Sequence, residues 1–234
     1  MNTQLRKFPK LFFLASMVSL VAFAACDKDD DGSPKPTGSG KVALLNAAFS
    51  ADSLNLFVDA KKASKKLLGY SDSLNYIDVT TGDRAFEIKG KDDKSLLRKS
   101  IAVEKDKNYS LLATNSKDGK TFEFVQVTDD LTAPKTDKAK VRLIHLSPDA
   151  GKLNLVAGET KLAENIAYKS ASAFKEVDAK KTSFDIVDPE AEETVLTVNN
   201  LELTKGKIYT IWITGLQETD DVKKEVKAHI FVNR

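Results

Sequence analysis

Short stretches in which apolar and polar residues alternate recur throughout residues 41–234. Leu54-Asn55-Leu56 and Leu153-Asn154-Leu155 each place two leucines on one face of an extended segment and an asparagine on the other. This period of two is typical of β-strands with one buried face. Asp118-Gly119 predicts a hairpin and Ser147-Pro148-Asp149 predicts a turn. No segment keeps a helical period, so the pattern predicts an all-β fold of antiparallel, immunoglobulin-like β-sandwiches.

The alternating pattern occurs twice along the chain. Residues 41–59 align with residues 140–158 at a constant offset of 99, and residues 101–111 align with 201–211 at an offset of 100. An alignment that stays in register over about 70 residues is not expected by chance. The sequence therefore predicts two homologous domains in tandem with a linker between them, at residues 41–128, 140–234 and 129–139 respectively.

The N-terminal segment has a different pattern. An apolar run of 15 residues (11–25) follows three basic residues and ends at the only cysteine, Cys26. This is the layout of a secretory signal, and the run is shorter than the about 20 apolar residues of a spanning helix. Ala24-Ala25 directly before the cysteine resembles the lipobox, which implies lipidation of the thiol and cleavage before it. We therefore expect a signal peptide at 1–25 and a lipid anchor at Cys26, the alternative being ordinary cleavage that leaves a free thiol.

Residues 26–40 predict a flexible tether, because they combine acids with Gly, Ser, Pro and Thr. The run Asp27–Gly32 matches the first half of a calcium loop, but Gly38 stands where a bidentate glutamate is needed, so a solvated tether is favoured. Acids directly after the cysteine also resemble the export signal of surface lipoproteins in some Gram-negative groups. In enteric-type bacteria Asp at this place instead implies retention at the inner membrane. We expect the outer membrane, with surface display, in preference to the inner membrane.

Charge and cysteine content narrow the classes of partner. The chain has 36 Lys and Arg against 34 Asp and Glu, and three of the bases but none of the acids precede Cys26, so the remainder carries a net charge of −1. This balance argues against nucleic-acid binding. With Cys26 lipidated, no thiol is left for a disulfide or a cysteine-based metal site. The expected partners are the lipid bilayer, through acylated Cys26, and an envelope protein or glycan.

Few residues suggest reactive chemistry. The sequence has no glycine-rich phosphate loop, nucleophile elbow or zinc-protease helix, so we predict no enzyme, no catalytic residue, no cofactor and no metal site. His145 ends the first strand of the second repeat, where the first repeat has Asn46. Asparagine shares the hydrogen-bonding ability of histidine but not its metal affinity, which favours turn stabilisation. His229, in the last predicted strand, is expected to point outward.

Three residues stand as candidates for ligand binding, namely Trp212, Tyr168 and His145. Trp212 is the sole tryptophan and alternates against Tyr209 and Ile211. It therefore lies on the opposite face of its strand, where it either stacks on a sugar or partner or is buried between sheets or domains. Tyr168, like Tyr70 in the first repeat, fits a packing residue at a strand end better than a ligand platform.

The second repeat resembles the family called domain of unknown function 4397 (DUF4397), which occurs in exported and surface bacterial proteins, often in tandem. The resemblance lies in VRLIHLSPDA (141–150), NIAY (165–168) and GKIYT (206–210). The first repeat keeps the spacing but has NAAFSA (46–51) in place of the Ser-Pro-Asp turn. The resemblance implies a β-sandwich fold and a location outside the cytoplasm. It implies no established activity and transfers no catalytic residue.

Together these features predict a membrane-anchored bacterial lipoprotein that serves as a non-enzymatic surface or periplasmic binding or structural module. One alternative is a structural subunit resembling the fimbrillins, in which subunits exchange strands. The other alternative is a carbohydrate-binding lipoprotein for polysaccharide uptake, whose glycan affinity would depend on Trp212.

Overall fold

Every regular element in the part of the chain that the structure describes, residues 37–234 of a computed structural model, is a β-strand. The predicted signal peptide, Cys26 and most of the predicted tether lie outside the described residues. Strand β1 begins at Ser39 and β10 at Lys138, each two residues ahead of a predicted domain start. The first nine strands form what we call the first sandwich, and the last nine form the second sandwich.

The strands of the first sandwich are short and separated by tight turns. They are β1 (Ser39–Asn46), β2 (Ser53–Val58), β3 (Lys61–Lys62), β4 (Leu68–Gly69), β5 (Ser73–Thr80), β6 (Gly82–Gly90), β7 (Ser95–Val103), β8 (Asn108–Asn115) and β9 (Phe122–Thr128). One sheet, which we call sheet A, has the order β5-β1-β8-β9, and its partner, sheet B, has the order β3-β2-β6-β7 with β4 also on β2. The predicted hairpin at Asp118-Gly119 joins β8 to β9, where Gly119 has φ +72°.

The second sandwich repeats this topology. Its strands are β10 (Lys138–Leu146), β11 (Leu153–Ala157), β12 (Thr160–Ile166), β13 (Ser170–Ala171), β14 (Lys175–Asp178), β15 (Lys181–Asp188), β16 (Glu193–Glu202), β17 (Ile208–Thr214) and β18 (Lys227–Val232). Sheet C has the order β13-β10-β17-β18 with β14 also on β10, and sheet D has the order β12-β11-β15-β16. The predicted all-β fold of β-sandwiches is confirmed. One pair in each sandwich departs from the antiparallel expectation, because β1 and β8, and β10 and β17, run parallel.

Each sandwich has its own apolar core between its two sheets. In the first core the side chains of Leu54 and Leu56, from β2, pack with Phe86 and Ile88, from β6, without solvent exposure. The matching residues of the second core include Leu153, Leu155, Phe184 and Ile186. These are the alternating positions of the sequence pattern, so the buried face of each strand follows from the period of two.

A third apolar cluster joins the two sandwiches through the outer faces of sheets A and C. Its buried members are Ala43, Leu45, Ala47, Leu112, Ile144, Leu146, Trp212 and Phe231. Strands β1, β8, β10 and β17 are therefore buried on both faces, and residues 37–234 belong to one compact unit of four stacked sheets in the order B, A, C and D. Burial on this scale favours a fixed arrangement of the two sandwiches over a flexible tandem.

Candidate functional site

The contact between the sandwiches has an approximate twofold symmetry that follows from the sequence repeat. The Tyr70 hydroxyl, from the first sandwich, hydrogen-bonds to Thr214 Oγ1 of the second at 2.6 Å. Reciprocally, the Tyr168 hydroxyl of the second sandwich donates to the backbone carbonyl of Asn115 in the first at 3.0 Å. The two tyrosines are equivalent in the repeat, so the same surface of each sandwich meets its counterpart, as in an isologous dimer.

A buried ion pair also lies at this contact, beside Thr210 at the start of β17, whereas the Tyr70 contact is at Thr214, at the end of that strand. Arg142 Nη2 is 2.6 Å from Asp129 Oδ1, and the two side chains are 2% and 0% exposed. Arg142 also donates to Thr210 Oγ1 at 2.9 Å and to Ser110 Oγ at 3.0 Å, while its guanidinium lies 4.4 Å from the centre of the Phe174 ring. A buried charge is tolerated when it is paired and hydrogen-bonded, and Arg142 is paired with Asp129 and donates through its Nε and Nη2.

Further hydrogen bonds surround the ion pair. Asp129 accepts from Ser110 Oγ at 2.8 Å and from the Tyr76 hydroxyl. Asn233 donates to that hydroxyl at 2.9 Å and accepts from Thr210 Oγ1 at 2.6 Å. Burial, followed by the negative charge of Asp129, raises the pKa of Tyr76, so its hydroxyl stays protonated and acts as a donor. These buried polar groups are thus used to hold the sandwiches together.

His145 has no solvent exposure and stabilises a turn. Its Nε2 is 2.8 Å from the Gly151 carbonyl oxygen, and its Nδ1 accepts from the Ser147 backbone N–H at 3.3 Å. Asn46 does the same in the first repeat, since its side chain accepts from the Ala48 N–H at 3.0 Å. Burial lowers the pKa of His145 and keeps the imidazole neutral. This placement fits the turn-stabilising interpretation, and the hypothesis that His145 contacts a ligand does not fit it.

Trp212 is 1% exposed and lies in the cluster between the sandwiches. Its ring centre is 4.8 Å from that of His229, the residue paired with it on β18. Of the two alternatives drawn from the sequence, burial at the domain contact therefore fits and the outward stacking platform does not. The physical reason is that sheet C has a second sheet against its outer face, so the alternate face of β17 is also interior.

Tyr168 is half-buried, and its hydroxyl already donates a hydrogen bond to the Asn115 carbonyl. The Lys169 ammonium lies 5.1 Å from the centre of the Tyr168 ring and 2.6 Å from Glu123 Oε2. The ring is thereby covered by an ion pair that links the two sandwiches. Packing at the domain contact explains Tyr168 better than a ligand platform does.

The opposite end of the contact contains an open cleft of about 370 Å³, lined by Phe49, Asp52, Tyr70, Ser71, Lys227 and His229, with Ala51 and Lys223 completing its wall. His229 Nε2 is 3.0 Å from Thr214 Oγ1, and burial, reinforced by the positive charge of Lys227, lowers the pKa of His229 to about 4. The expectation that His229 points outward is thus met only in part, because it forms a cleft wall. The sequence signals for this region were His229 itself and the alignment of Tyr70 with Tyr168.

Another cavity, of about 560 Å³, lies in the second sandwich beside Leu162, Val177 and Ser183. Across residues 37–234, no three His, Cys, Asp or Glu side chains are grouped so as to hold a metal ion. No helix among these same residues is long and apolar enough to cross a membrane.

Some solved structures show weak likeness to the chain. The C-terminal domain of AlgF from P. aeruginosa is 19% identical with a TM-score of 0.31, over 41% of this chain and 98% of that one. A "putative adhesin" from Bacteroides ovatus is 9% identical with a TM-score of 0.21, over 83% and 94%. A "putative cell adhesion protein" from Bacteroides uniformis is 10% identical with a TM-score of 0.24, over 85% and 98%. These values are too low to support a functional argument.

Family relationship is clearer at the level of sequence. No curated protein matches the chain. The family described as "Domain of unknown function (DUF4397)" matches residues 40–156 and again residues 148–228. These two segments include most of both sandwiches, and they confirm the resemblance seen in the second repeat. The chain therefore belongs to the DUF4397 family.

Proposed function

We propose that this protein is a lipid-anchored bacterial lipoprotein whose paired sandwiches form a non-enzymatic binding or structural module outside the cytoplasm. The observation that carries the proposal is the contact between the sandwiches. Its buried polar side chains, centred on Arg142 and Asp129, are engaged in holding two β-domains as one body. A rigid pair of sandwiches behind a predicted lipidated tether suits display and recognition, which need a fixed surface rather than a reactive centre.

The anchor can be tested on the full chain expressed in a Gram-negative host. Metabolic labelling with an alkyne analogue of palmitate should mark the protein, and Cys26→Ser should lose the label and leave the membrane fraction. Ser33→Ala, in the predicted tether, is the matched control and should keep both properties. Labelling that persists in Cys26→Ser would contradict lipidation at this residue.

The location can be tested by adding protease to intact cells. Digestion of the labelled protein would support surface display in the outer membrane, whereas full resistance would place it on a periplasmic face. A periplasmic protein serves as the lysis control, because it must resist digestion in intact cells and be cut after permeabilisation.

A structural subunit is a second candidate, and one strand favours it. Strand β18 is the outer strand of sheet C, and Ile230 and Val232 on it are 36% and 47% exposed. Such an edge can pair with a strand of another copy. Strand β1 is less suited to exchange, since it lies between β5 and β8 and is buried on both faces. Light scattering of the purified full chain should then show oligomers that Val232→Lys disperses, and a monomer at all concentrations would contradict this candidate.

A further inference from the structure

The two ends of the contact between the sandwiches are equivalent in backbone but not in charge. Ser71 follows Tyr70, and Lys169 follows Tyr168. Both residues have a left-handed conformation, with φ of +70° and +62°. The Ser71 N–H donates to the Asn46 carbonyl at 2.8 Å, and the Lys169 N–H donates to the His145 carbonyl at the same distance. The two positions are therefore the same place in the repeated fold.

The residues opposite these positions are also equivalent. Glu123 on β9 pairs with Thr114, and Lys227 on β18 pairs with Thr214. At the first end Glu123 meets Lys169 at 2.6 Å and closes the gap with an ion pair. At the other end Lys227 occupies the position of Glu123, and Ser71 occupies the position of Lys169. No ion pair can form between Ser71 and Lys227, and this end is the open cleft.

The cleft carries excess positive charge. Neither Lys223 nor Lys227 forms an ion pair with any residue in the range 37–234, and Lys227 Nζ donates only to the Val222 carbonyl, at 2.9 Å. The one carboxylate in the wall, Asp52, is 2.8 Å from Lys91, and the hydrogen bond from that lysine is the main cause that lowers the pKa of Asp52, with a smaller contribution from the charge of Lys223. An anion entering the cleft would thus meet two ammonium groups and a carboxylate that already has a partner.

The remaining walls suit a ring with polar substituents. Phe49, Tyr70 and His229 supply aromatic surface, and the Ser71 hydroxyl adds a small polar group. Because the pKa of His229 is lowered to about 4, its imidazole is neutral near pH 7 and adds no charge of its own. A volume of about 370 Å³ lies within the range of small-molecule sites, which combine aromatic walls with a few polar groups.

We propose that this cleft binds a carboxylate-bearing sugar, whose carboxylate pairs with Lys227 and Lys223 and whose ring packs against Tyr70 and His229. The inference rests on the proposed binding function and gives it a ligand class. Lipid attachment is tested separately at Cys26, so failure of the sugar experiment would leave the anchor untouched. The sequence-based alternative placed carbohydrate binding at Trp212, which is buried. The present proposal places it at the cleft instead.

The test is a titration of the detergent-solubilised full chain with galacturonate and with galactose, which differ in the carboxylate. Calorimetry gives the affinity, and emission of the sole tryptophan reports the cleft because Trp212 lies 4.8 Å from His229. We expect galacturonate to bind and galactose to bind about tenfold more weakly or not at all, as loss of a charged hydrogen bond predicts. Equal binding of both sugars, or no galacturonate binding at millimolar concentration, would overturn the proposal.

Variants distinguish binding in the cleft from non-specific attraction to the net charge of the protein. Lys227→Glu should weaken galacturonate binding about tenfold or more, whereas Lys62→Glu, the same charge change on exposed β3 outside the cleft, should not change it. The double variant Ser71→Lys with Lys227→Glu copies the ion pair of the closed end, so it should lose binding while keeping the unfolding midpoint of the natural chain. Binding that survives in this folded double variant would overturn the proposal.

Discussion

Arg142 and Asp129 form their buried ion pair at two positions where the two repeats differ in charge. The residue equivalent to Arg142 in the first repeat is Ala43. Asn233 is equivalent to Asp129, because each donates its N–H to the start of the neighbouring strand, to the Ile208 and Asn108 carbonyls respectively. The pair therefore breaks the twofold symmetry of the contact. Arg142 occurs only in the second sandwich and Asp129 only beside the first. Contact between a first and a second sandwich is therefore favoured over contact between two copies of the same sandwich, which would bury an unpaired charge.

We predict that Arg142→Ala lowers the free energy of unfolding by about 3–5 kcal/mol, because it leaves the carboxylate of Asp129 buried without its partner. The double variant Arg142→Ala with Asp129→Asn gives both repeats the same residues at these two positions and should recover much of this loss. Urea unfolding followed by circular dichroism measures both. Lys41→Ala, which removes the exposed pair with Asp78, is the control and should have little effect. A double variant no more stable than Arg142→Ala would contradict this account.

The tyrosine contacts should contribute equally because the two ends have the same backbone. Tyr70→Phe removes the hydrogen bond to Thr214, and Tyr168→Phe removes the one to Asn115, so each should cost about 1 kcal/mol. The two sites do not share a partner, and their effects should add in the double variant. Thermal unfolding of the three variants tests this. A large loss at one site and none at the other would show that the contact is not energetically symmetric.

Trp212 should couple the unfolding of the two sandwiches. Trp212→Ala removes the largest buried side chain of the shared cluster and should cost about 3–5 kcal/mol. Because the loss falls on the contact rather than on either separate core, we expect one urea transition to split into two. Trp212→Leu copies the equivalent residue, Leu112, and should keep a single transition. A single transition of unchanged slope in Trp212→Ala would show that the sandwiches are coupled elsewhere.

His229 should make the fold sensitive to mild acid. Its pKa is about 4 in the folded protein, while the unfolded chain takes up this proton near pH 6.5. The unfolded state thus binds more protons between these values, and the free energy of unfolding falls as the pH falls through this window. His229→Val, which copies the equivalent Val125, should flatten the decline between pH 6.5 and 5, where most carboxylates stay ionised. His145 is present in both proteins, so its contribution to the pH dependence cancels in the comparison. An unchanged slope would contradict the role of His229.

Local pattern was enough to predict that both sandwiches are built of strands. The strand at Leu54-Asn55-Leu56, the turn at Ser147-Pro148-Asp149 and the hairpin at Asp118-Gly119 depend on neighbours in the chain, and the structure contains each, with Asn55 buried as well as the two leucines. The same pattern left Trp212 open between outward stacking and burial, because alternation separates two faces without saying which faces meet solvent. The apolar run Ile211-Trp212-Ile213 on β17 carried that signal, since strands buried on both faces lose the alternation.

The sequence by itself determined an all-β chain with a repeated unit, because strand period, turn residues and repeat register are properties of short segments. Only the tertiary structure decided that sheets A and C meet, that Arg142 finds Asp129, and that one end of the contact closes while the other stays open. Those outcomes join residues as far apart as Tyr76 and Asn233, and no local preference encodes them. They depend on which two faces bury the most apolar surface together while satisfying the polar groups between them.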